Sequence, residues 1–281
     1  MREIQTSVIT STVARLADEV NYEISSDVMV ALDRAASTER SPLGRELLDI
    51  LTENANRAPE LRQPLCQDTG VAVVFLDIGQ DVHVAGGDLA TAVTDGVREG
   101  YRKGYLRRSM VSQPFTGRNN TGDNTPPVVH YRIVSGDRLK ISLMAKGSGA
   151  ENMSRLFMLK PAEDRDGIIE AAIKTVADAG GKACPPVIVG IGIGGTAEAC
   201  MLLAKRSLLR KVGQLSPEAA DAALEQEILN RVNQLGIGPL GLGGTVTALA
   251  VHVASMPCHI ASLPVAVNLQ CHSARHREEI L

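Results

Sequence analysis

Residues 184–207, CPPVIVGIGIGGTAEACMLLAKRS, decide the fold that the sequence predicts. The run PPVIVGIG is apolar and rich in β-branched residues, which is typical of a buried strand. Glycines follow it, and then comes a segment with helical periodicity. Because a strand that leads through a glycine turn into a helix is the building unit of α/β proteins, this stretch predicts an α/β architecture.

The flanking sequence continues the alternation of helices and strands. The first sixty residues have the spacing of amphipathic helices, and VAVVFLDIG at 71–79 is a second apolar, β-rich run. VVHYRIV at 128–134 and LKISLMA at 139–145 flank a short turn and are expected to pair as a hairpin. Further helical patterns and two late strand-like runs, TALAVHVA and PVAVNL, follow.

The chain shows no repeat, no low-complexity linker and no block of like charges. We therefore predict one helix-rich α/β domain over residues 1–281, in which a mixed sheet is surrounded by helices.

Composition excludes several classes of protein. With 44% hydrophobic and 22% charged residues in 281, the chain is neither disordered nor a disulfide-stapled miniprotein. A formal charge of -3 and an aromatic content of 2% argue against a nucleic-acid partner. No apolar run approaches the roughly 18 residues of a membrane span. Five cysteines without dense spacing favour reduced thiols, and we expect a cytoplasmic protein.

The glycines at 190–195 raise one alternative. GIGIGG satisfies G-x-G-x-x-G between a strand and a helix, as in dinucleotide-binding proteins, so an NAD-dependent oxidoreductase is a competing hypothesis. The second strand that would end in a ribose-binding acidic residue is replaced by a helical pattern. Close packing of a helix on the strand is the favoured explanation of these glycines.

Three cysteines are candidate site residues because each lies at the end of a predicted strand beside turn or polar residues: Cys66, Cys184 and Cys271. Cys200, inside a helical run, is expected to be a small buried hydrophobic residue. Cys258 is ambiguous because it adjoins His259. Spacing alone leaves two interpretations open, a shared metal centre or scattered core thiols.

The neighbours of these cysteines favour a site. Gln67 and Asp68, directly after Cys66, would place an amide and a carboxylate at its edge, although an Asx-type loop would have the same composition. KGSGAENMS at 146–154 combines a capping box with two glycines beside a lysine, which suits the approach of a carboxylate to backbone N–H groups. YRKGYLRRS at 101–109 is the densest cationic stretch and a source of an arginine for an anionic substrate.

Together these motifs resemble a known family. LCQDTG, YLRRS, NNTGDNTPP, KGSGAENMS, CPPVIVGIGIGGTAE, HIASLPVAVNLQC and ARHREEIL, in this order from about residue 65 to the C-terminus, are similar to the α subunit of class I iron–sulfur fumarate hydratases and L(+)-tartrate dehydratases.

The resemblance implies a set of roles for individual residues. Cys66, Cys184 and Cys271 would hold a [4Fe–4S] cluster whose fourth iron lacks a protein ligand and acts as a Lewis acid. The family pattern places Gln67, Asp68, Arg107 and Gly147 against a small dicarboxylate substrate, with Asp68 and His259 as catalytic residues. Arg108 is a neighbouring rival for Arg107, and the glycine of KGSG that corresponds is open.

The resemblance also implies a partner. Some family members carry a second half that supplies the proton-abstracting group, whereas this sequence stops ten residues after Cys271. We therefore expect a separate β subunit in an α2β2 assembly. The predicted activity is reversible hydration of fumarate to L-malate. L(+)-tartrate dehydration and a cluster-free structural subunit are the remaining alternatives.

Overall fold

The structure, a computed structural model, describes residues 1–281 and contains two four-stranded mixed sheets and one two-stranded parallel sheet. The chain divides into two units and passes from one to the other at four points. The first unit comprises Met1–Ile24, Asn56–Ser148 and Arg275–Leu281, and the second comprises Ser25–Ala55 and Gly149–Ala274.

In chain order the helices and strands are β1 (Arg2–Gln5), α1 (Thr6–Tyr22), α2 (Ser26–Thr38), α3 (Pro42–Leu61), β2 (Val71–Gly79), β3 (Val82–Ala85), α4 (Leu89–Lys103), β4 (Val128–Val134), β5 (Leu139–Lys146), α5 (Ser148–Glu151), β6 (Arg155–Leu159), α6 (Asp164–Ala179), β7 (Val187–Gly195), α7 (Ala197–Ser207), α8 (Ala219–Asn233), β8 (Ala248–Cys258), β9 (Leu263–Gln270) and β10 (His276–Ile280). Short 3₁₀ turns occur at Pro161–Glu163, Gly180–Ala183 and Pro239–Gly241.

The sheet of the first unit has the strand order β10-β5-β2-β4. The nine-residue strand β2 is almost entirely buried and lies in the interior of the sheet, parallel to β4 and antiparallel to β5. Helices α1 and α4 pack together, and their apolar residues form one core with those of β2 and β5.

The expected hairpin between β4 and β5 is wrong. The two strands are consecutive in the chain, but each pairs with β2, which lies between them. A strand that is apolar throughout gains most when it has a neighbour on each side, and this favours the central position for β2.

The sheet of the second unit has the order β6-β9-β7-β8, with β7 parallel to β8 and antiparallel to β9. Helices α6 and α8 contribute to a large apolar core with β7, β8 and β9. Helix α7 packs on β7 and β9, where Cys200 and Ala204 contact Ala266. Because β7 and β9 are antiparallel neighbours, the first residues of β7 lie beside the last residues of β9, at the same end of the two strands.

The predicted helix-rich α/β class is confirmed, with mixed sheets and helices packed on them. The strands form separate sheets instead of the one mixed sheet expected. A single domain over residues 1–281 stays a prediction. No helix is both long enough and apolar enough to cross a bilayer.

Candidate active site

The LCQDTG loop in the first unit is fixed at both ends. The backbone N–H of Leu65 donates to the carbonyl of Asn21 at 2.8 Å. At the other end the Tyr101 hydroxyl donates to the carbonyls of Thr69 and Gly70 at 2.8 and 3.1 Å. Tyr101 is buried, and this burial raises its pKa to about 12, so the hydroxyl stays protonated and donates. The loop between these anchors is therefore a preorganised support for its side chains.

Asp68 connects this loop to the KGSG turn after β5. One carboxylate oxygen accepts from the backbone N–H of Gly70 at 3.0 Å. The other accepts from the N–H and the hydroxyl of Ser148 at 2.9 and 3.2 Å. Gly147 precedes Ser148, so the structure brings two of the predicted substrate-binding residues, Asp68 and Gly147, together.

Arg107 is attached to the same loop through its backbone. The Thr69 hydroxyl donates to the carbonyl of Arg107 at 2.7 Å, and the exposed Arg107 side chain forms no ion pair within the chain. Arg108 is equally exposed, and its carbonyl accepts from the Asn120 amide at 2.8 Å. Both guanidinium groups are free to bind an anion, and the choice between them stays open.

Cys66 and Gln67 precede Asp68 on the loop. Cys66 is a half-buried free thiol, and Gln67 is exposed. An exposed amide at this position has both its donor and its acceptor available for a polar ligand.

Arg275 is a residue of this region to which the sequence analysis gave no role. Its side chain is buried at 1% exposure, and its Nη1 donates to the Asn21 amide oxygen at 3.0 Å. A Cβ placed on Gly147 would lie 3.4 Å from Arg275 Nη2 and 3.3 Å from Asp68 Oδ2. Asp68 and Arg275 therefore flank the space that Gly147 leaves, within about 7 Å of each other, a distance at which charges interact. The only sequence signal was the occurrence of Arg275 in the ARHREEIL motif.

Cys184 and Cys271 lie at one end of the central strands of the second unit's sheet, before β7 and after β9. Both the backbone N–H and the ring Nδ1 of His272 lie near the Cys184 carbonyl, at 3.4 and 3.1 Å, which brings the two cysteine-bearing segments together. The Cys271 sulfur lies 3.1 Å from the Ser273 hydroxyl. Cys184 has a φ of 53°, a left-handed conformation that is uncommon outside glycine and is frequent at functional sites.

The other two cysteines have different surroundings. Cys200 is fully buried, its thiol donates to the Gly192 carbonyl at 3.1 Å, and burial raises its pKa to about 11. The prediction of a small buried hydrophobic residue is thus confirmed. Cys258 is exposed and donates to the Ser262 carbonyl at 3.3 Å.

The three predicted cluster cysteines belong to different units, Cys66 to the first and Cys184 and Cys271 to the second. In residues 1–281 no three His, Cys, Asp or Glu side chains are grouped as ligands of a single metal ion would be. A cubane cluster makes a different demand, because each thiolate binds its own iron. Ligation of one cluster by all three cysteines stays a prediction.

His259 is not close to Cys184 and Cys271 within this chain. It lies in the exposed turn between β8 and β9, where its Nδ1 accepts from the N–H of Ala261 at 3.1 Å. Cys271 follows the other end of β9, and the eight residues of that strand span roughly 26 Å at about 3.3 Å per residue. A catalytic role for His259 stays a prediction.

The glycines of GIGIGG have a packing explanation. Gly190 and Gly192 lie inside β7, which packs against α7. A Cβ on Gly190 would lie 2.4 Å from the Ala204 carbonyl oxygen, and a Cβ on Gly192 would lie 2.3 Å from the Cys200 carbonyl oxygen. A dinucleotide fingerprint instead requires its first glycine at the turn after the strand. The geometry favours close packing of the helix on the strand over nucleotide binding.

The mixed sheets and the helices packed on them define an α/β protein, and its first unit carries a fixed carboxylate beside a glycine turn and two exposed arginines. Comparison with known families makes the assignment more specific. The chain belongs to the fumarate hydratase (Fumerase) family, whose sequence model matches residues 10–279. The resemblance found in the motifs is thereby confirmed.

Curated relatives agree with this family. The chain is 42% identical over 272 residues to a protein of Methanocaldococcus jannaschii named putative L(+)-tartrate dehydratase subunit alpha, and the match covers 95% of each chain. It is 30% identical over 270 residues to the L(+)-tartrate dehydratase subunit alpha of Escherichia coli strain K12, covering 95% of this chain and 88% of that protein.

Proposed function

We propose that this chain is the α subunit of an iron–sulfur hydro-lyase that reversibly hydrates fumarate to L-malate. The observation that carries the proposal is the grouping of Asp68, Gly147 and the Arg107 segment around one fixed loop of the first unit. A carboxylate, a cationic side chain and a small residue are the groups that a polar dicarboxylate with a reacting hydroxyl requires.

The donor set fits a [4Fe–4S] cluster held by Cys66, Cys184 and Cys271. All three are free cysteines, none is fully buried, and two are on segments joined through His272. Cys200, by contrast, is deeply buried with a raised pKa, which disfavours the thiolate that a metal needs. When bound, such a cluster supplies an open iron that acts as a Lewis acid toward substrate oxygens.

The protein's own groups orient the substrate. The exposed Arg107 guanidinium can bind a carboxylate through two parallel hydrogen bonds. Gln67 offers an amide to the substrate hydroxyl or carboxylate. The hydrogen bonds from Gly70 and Ser148 hold the Asp68 carboxylate in place, so it needs no reorientation when the substrate arrives.

We further propose a separate β subunit that supplies the proton-abstracting group, in an α2β2 assembly. The relatives are named as alpha subunits, which supports a partner chain. His259 and Cys271 lie at opposite ends of β9, so a site that uses both requires His259 from a second copy of the chain. A cytoplasmic location stays a prediction from cysteine usage.

L(+)-tartrate dehydration is the second candidate, favoured by the names of the relatives. Tartrate differs from malate by one hydroxyl, and the site described here has polar groups for either. The test is anaerobic co-purification with the partner chain, followed by kcat/KM for fumarate, L-malate and L(+)-tartrate. A strong preference for tartrate would replace the first choice.

The same preparation tests the remaining hypotheses. A colourless complex without stoichiometric iron and sulfide after reconstitution would support a cluster-free structural subunit. A cluster-loaded complex that converts none of the three substrates would contradict the hydro-lyase proposal.

A further inference from the structure

Arg275 is a buried cation that the proposed set of substrate residues does not use. It follows the second unit's last cysteine by four residues and begins the final segment of the first unit. Its carbonyl accepts from the N–H of Ala145 at 2.9 Å, which fixes its backbone against the end of β5. The guanidinium lies beside the KGSG turn, where a Cβ on Gly147 would be 3.4 Å from Nη2.

The hydrogen-bonded partner of this guanidinium is neutral. Nη1 donates to the amide oxygen of Asn21, which is itself fully buried, and Nε has no partner. No carboxylate forms an ion pair with Arg275 inside the chain. Buried charges in proteins are normally paired with an opposite charge. The Asp68 carboxylate lies within about 7 Å of Arg275 but forms no ion pair with it, so the guanidinium remains available to an anion that comes from outside the chain.

Gly147 leaves space next to the Arg275 guanidinium. The backbone at Gly147 does not have the positive φ that demands glycine, so its lack of a side chain matters for space. A methyl group there would lie between Arg275 Nη2, at 3.4 Å, and Asp68 Oδ2, at 3.3 Å. With glycine, residue 147 is half-buried and leaves the space between the buried guanidinium and the Asp68 carboxylate unfilled.

We propose that Arg275 is a specificity residue of this site, whose buried positive charge stabilises one carboxylate of the substrate through the gap left by Gly147. The inference rests on the proposed function, because it takes the anion to be the dicarboxylate. It adds a second cationic group to the exposed Arg107, so that each carboxylate of a four-carbon diacid has its own positive charge.

The test compares the affinities of the complete α and β complex for succinate and butyrate, measured by calorimetry. Succinate is an unreactive four-carbon dicarboxylate, and butyrate has the same chain length with one carboxylate. The variants are Arg275→Met, Arg275→Lys and Gly147→Ala. Arg277→Met is the matched control, because Arg277 lies two residues further on, is partly exposed and pairs with Glu23 at the surface.

The wild-type preference for succinate over butyrate should fall at least about tenfold in Arg275→Met, remain largely intact in Arg275→Lys, and be unchanged in Arg277→Met. Gly147→Ala should reduce the preference without lowering the thermal midpoint. Loss of folding alone would weaken both ligands equally and leave the ratio unchanged.

An unchanged ratio in folded Arg275→Met overturns the inference. If that variant does not fold, Gly147→Ala decides, and an unchanged ratio there overturns it. Because the experiment measures binding and not turnover, a failure of the proposed function can be distinguished from a failure of the role given to Arg275. A wild-type complex that binds succinate selectively but converts no substrate contradicts the proposed function, whereas equal selectivity in wild type and variant contradicts only the role of Arg275.

Discussion

The buried carboxylate of Glu39 holds the backbone N–H of Thr245 at 2.9 Å from each of its two oxygens. It also accepts from the N–H of Val246 at 2.8 Å and from that of Ser41 at 2.8 Å. These bonds fix the end of the glycine-rich segment 236–246. The same segment donates from Leu240 to the Pro185 carbonyl at 2.7 Å, directly beside Cys184. One carboxylate therefore organises the segment that supports a candidate cluster ligand.

Glu39→Gln should destabilise the protein by about 1–3 kcal/mol at neutral pH, because an amide cannot accept all of these hydrogen bonds and places a donor among donors. Burial alone would raise the pKa of Glu39, but the hydrogen bonds from Ser41, Thr245 and Val246 outweigh it and hold this pKa below its ordinary value. The stabilisation is then complete above the unfolded-state pKa and is lost as pH falls through the folded-state pKa.

Denaturant unfolding from pH 7 to pH 3 measures this effect. The difference between wild type and Glu39→Gln should be largest at neutral pH and should shrink on acidification. Glu46→Gln is the control, since Glu46 is exposed on α3, and it should leave the unfolding free energy nearly unchanged. A difference that is constant over the whole pH range would contradict the role given to the charge.

Cluster ligation is tested by single replacements of cysteine. Cys66→Ser, Cys184→Ser and Cys271→Ser should each prevent a stable cluster, because a hydroxyl is a poor substitute for a thiolate on iron. Iron and acid-labile sulfide should fall to substoichiometric levels after anaerobic reconstitution. Cys258→Ser is the matched control at an exposed cysteine, and Cys200→Ser is the control in the core. Full iron content in any of the first three variants would contradict its assignment.

Strands with a strong local signal could be predicted from the sequence, and pairings between distant segments could not. The apolar run 71–79 coincides with β2, because nearly all of its side chains are buried. The terminal strands β1 and β10, REIQ and HREEI, are polar and short, and they exist only because they pair with β3 and β5. The same limit explains the wrong hairpin, because the turn was visible in the sequence and the position of β2 between β4 and β5 was not.

The candidate site divides in the same way. Asp68, Arg107 and Gly147 lie in motifs with a local chemical signature, and the structure groups their segments in the first unit. Arg275 has no such signature, since its neighbours Asn21 and Gly147 come from distant parts of the chain. Burial of a charged side chain is a property of the folded molecule, and sequence spacing does not reveal it.

Gly192→Ala tests the explanation of the GIGIGG motif. The added methyl would meet the Cys200 carbonyl at 2.3 Å and the Ala204 nitrogen at 2.6 Å, both backbone atoms of α7. The helix would have to move away from the sheet, and we expect a loss of about 1–3 kcal/mol or more. Thermal unfolding provides the measurement.

In parallel, NADH should not bind the wild-type protein in a fluorescence titration, and saturable binding would restore the oxidoreductase hypothesis.

Complementation between two inactive α chains tests whether His259 and Cys271 act together across copies. One chain carries His259→Ala and the other Cys271→Ser, each with a different affinity tag, and the doubly tagged hybrid is purified with the β subunit. Because the two residues lie at opposite ends of β9, a joint site must combine one from each copy. In a two-fold symmetric assembly the hybrid then contains one intact site and one with both defects, so about half of the wild-type activity should return. If both residues served the same site from one chain, each site of the hybrid would carry one defect. A hybrid as inactive as its two parents would therefore rule out the shared arrangement.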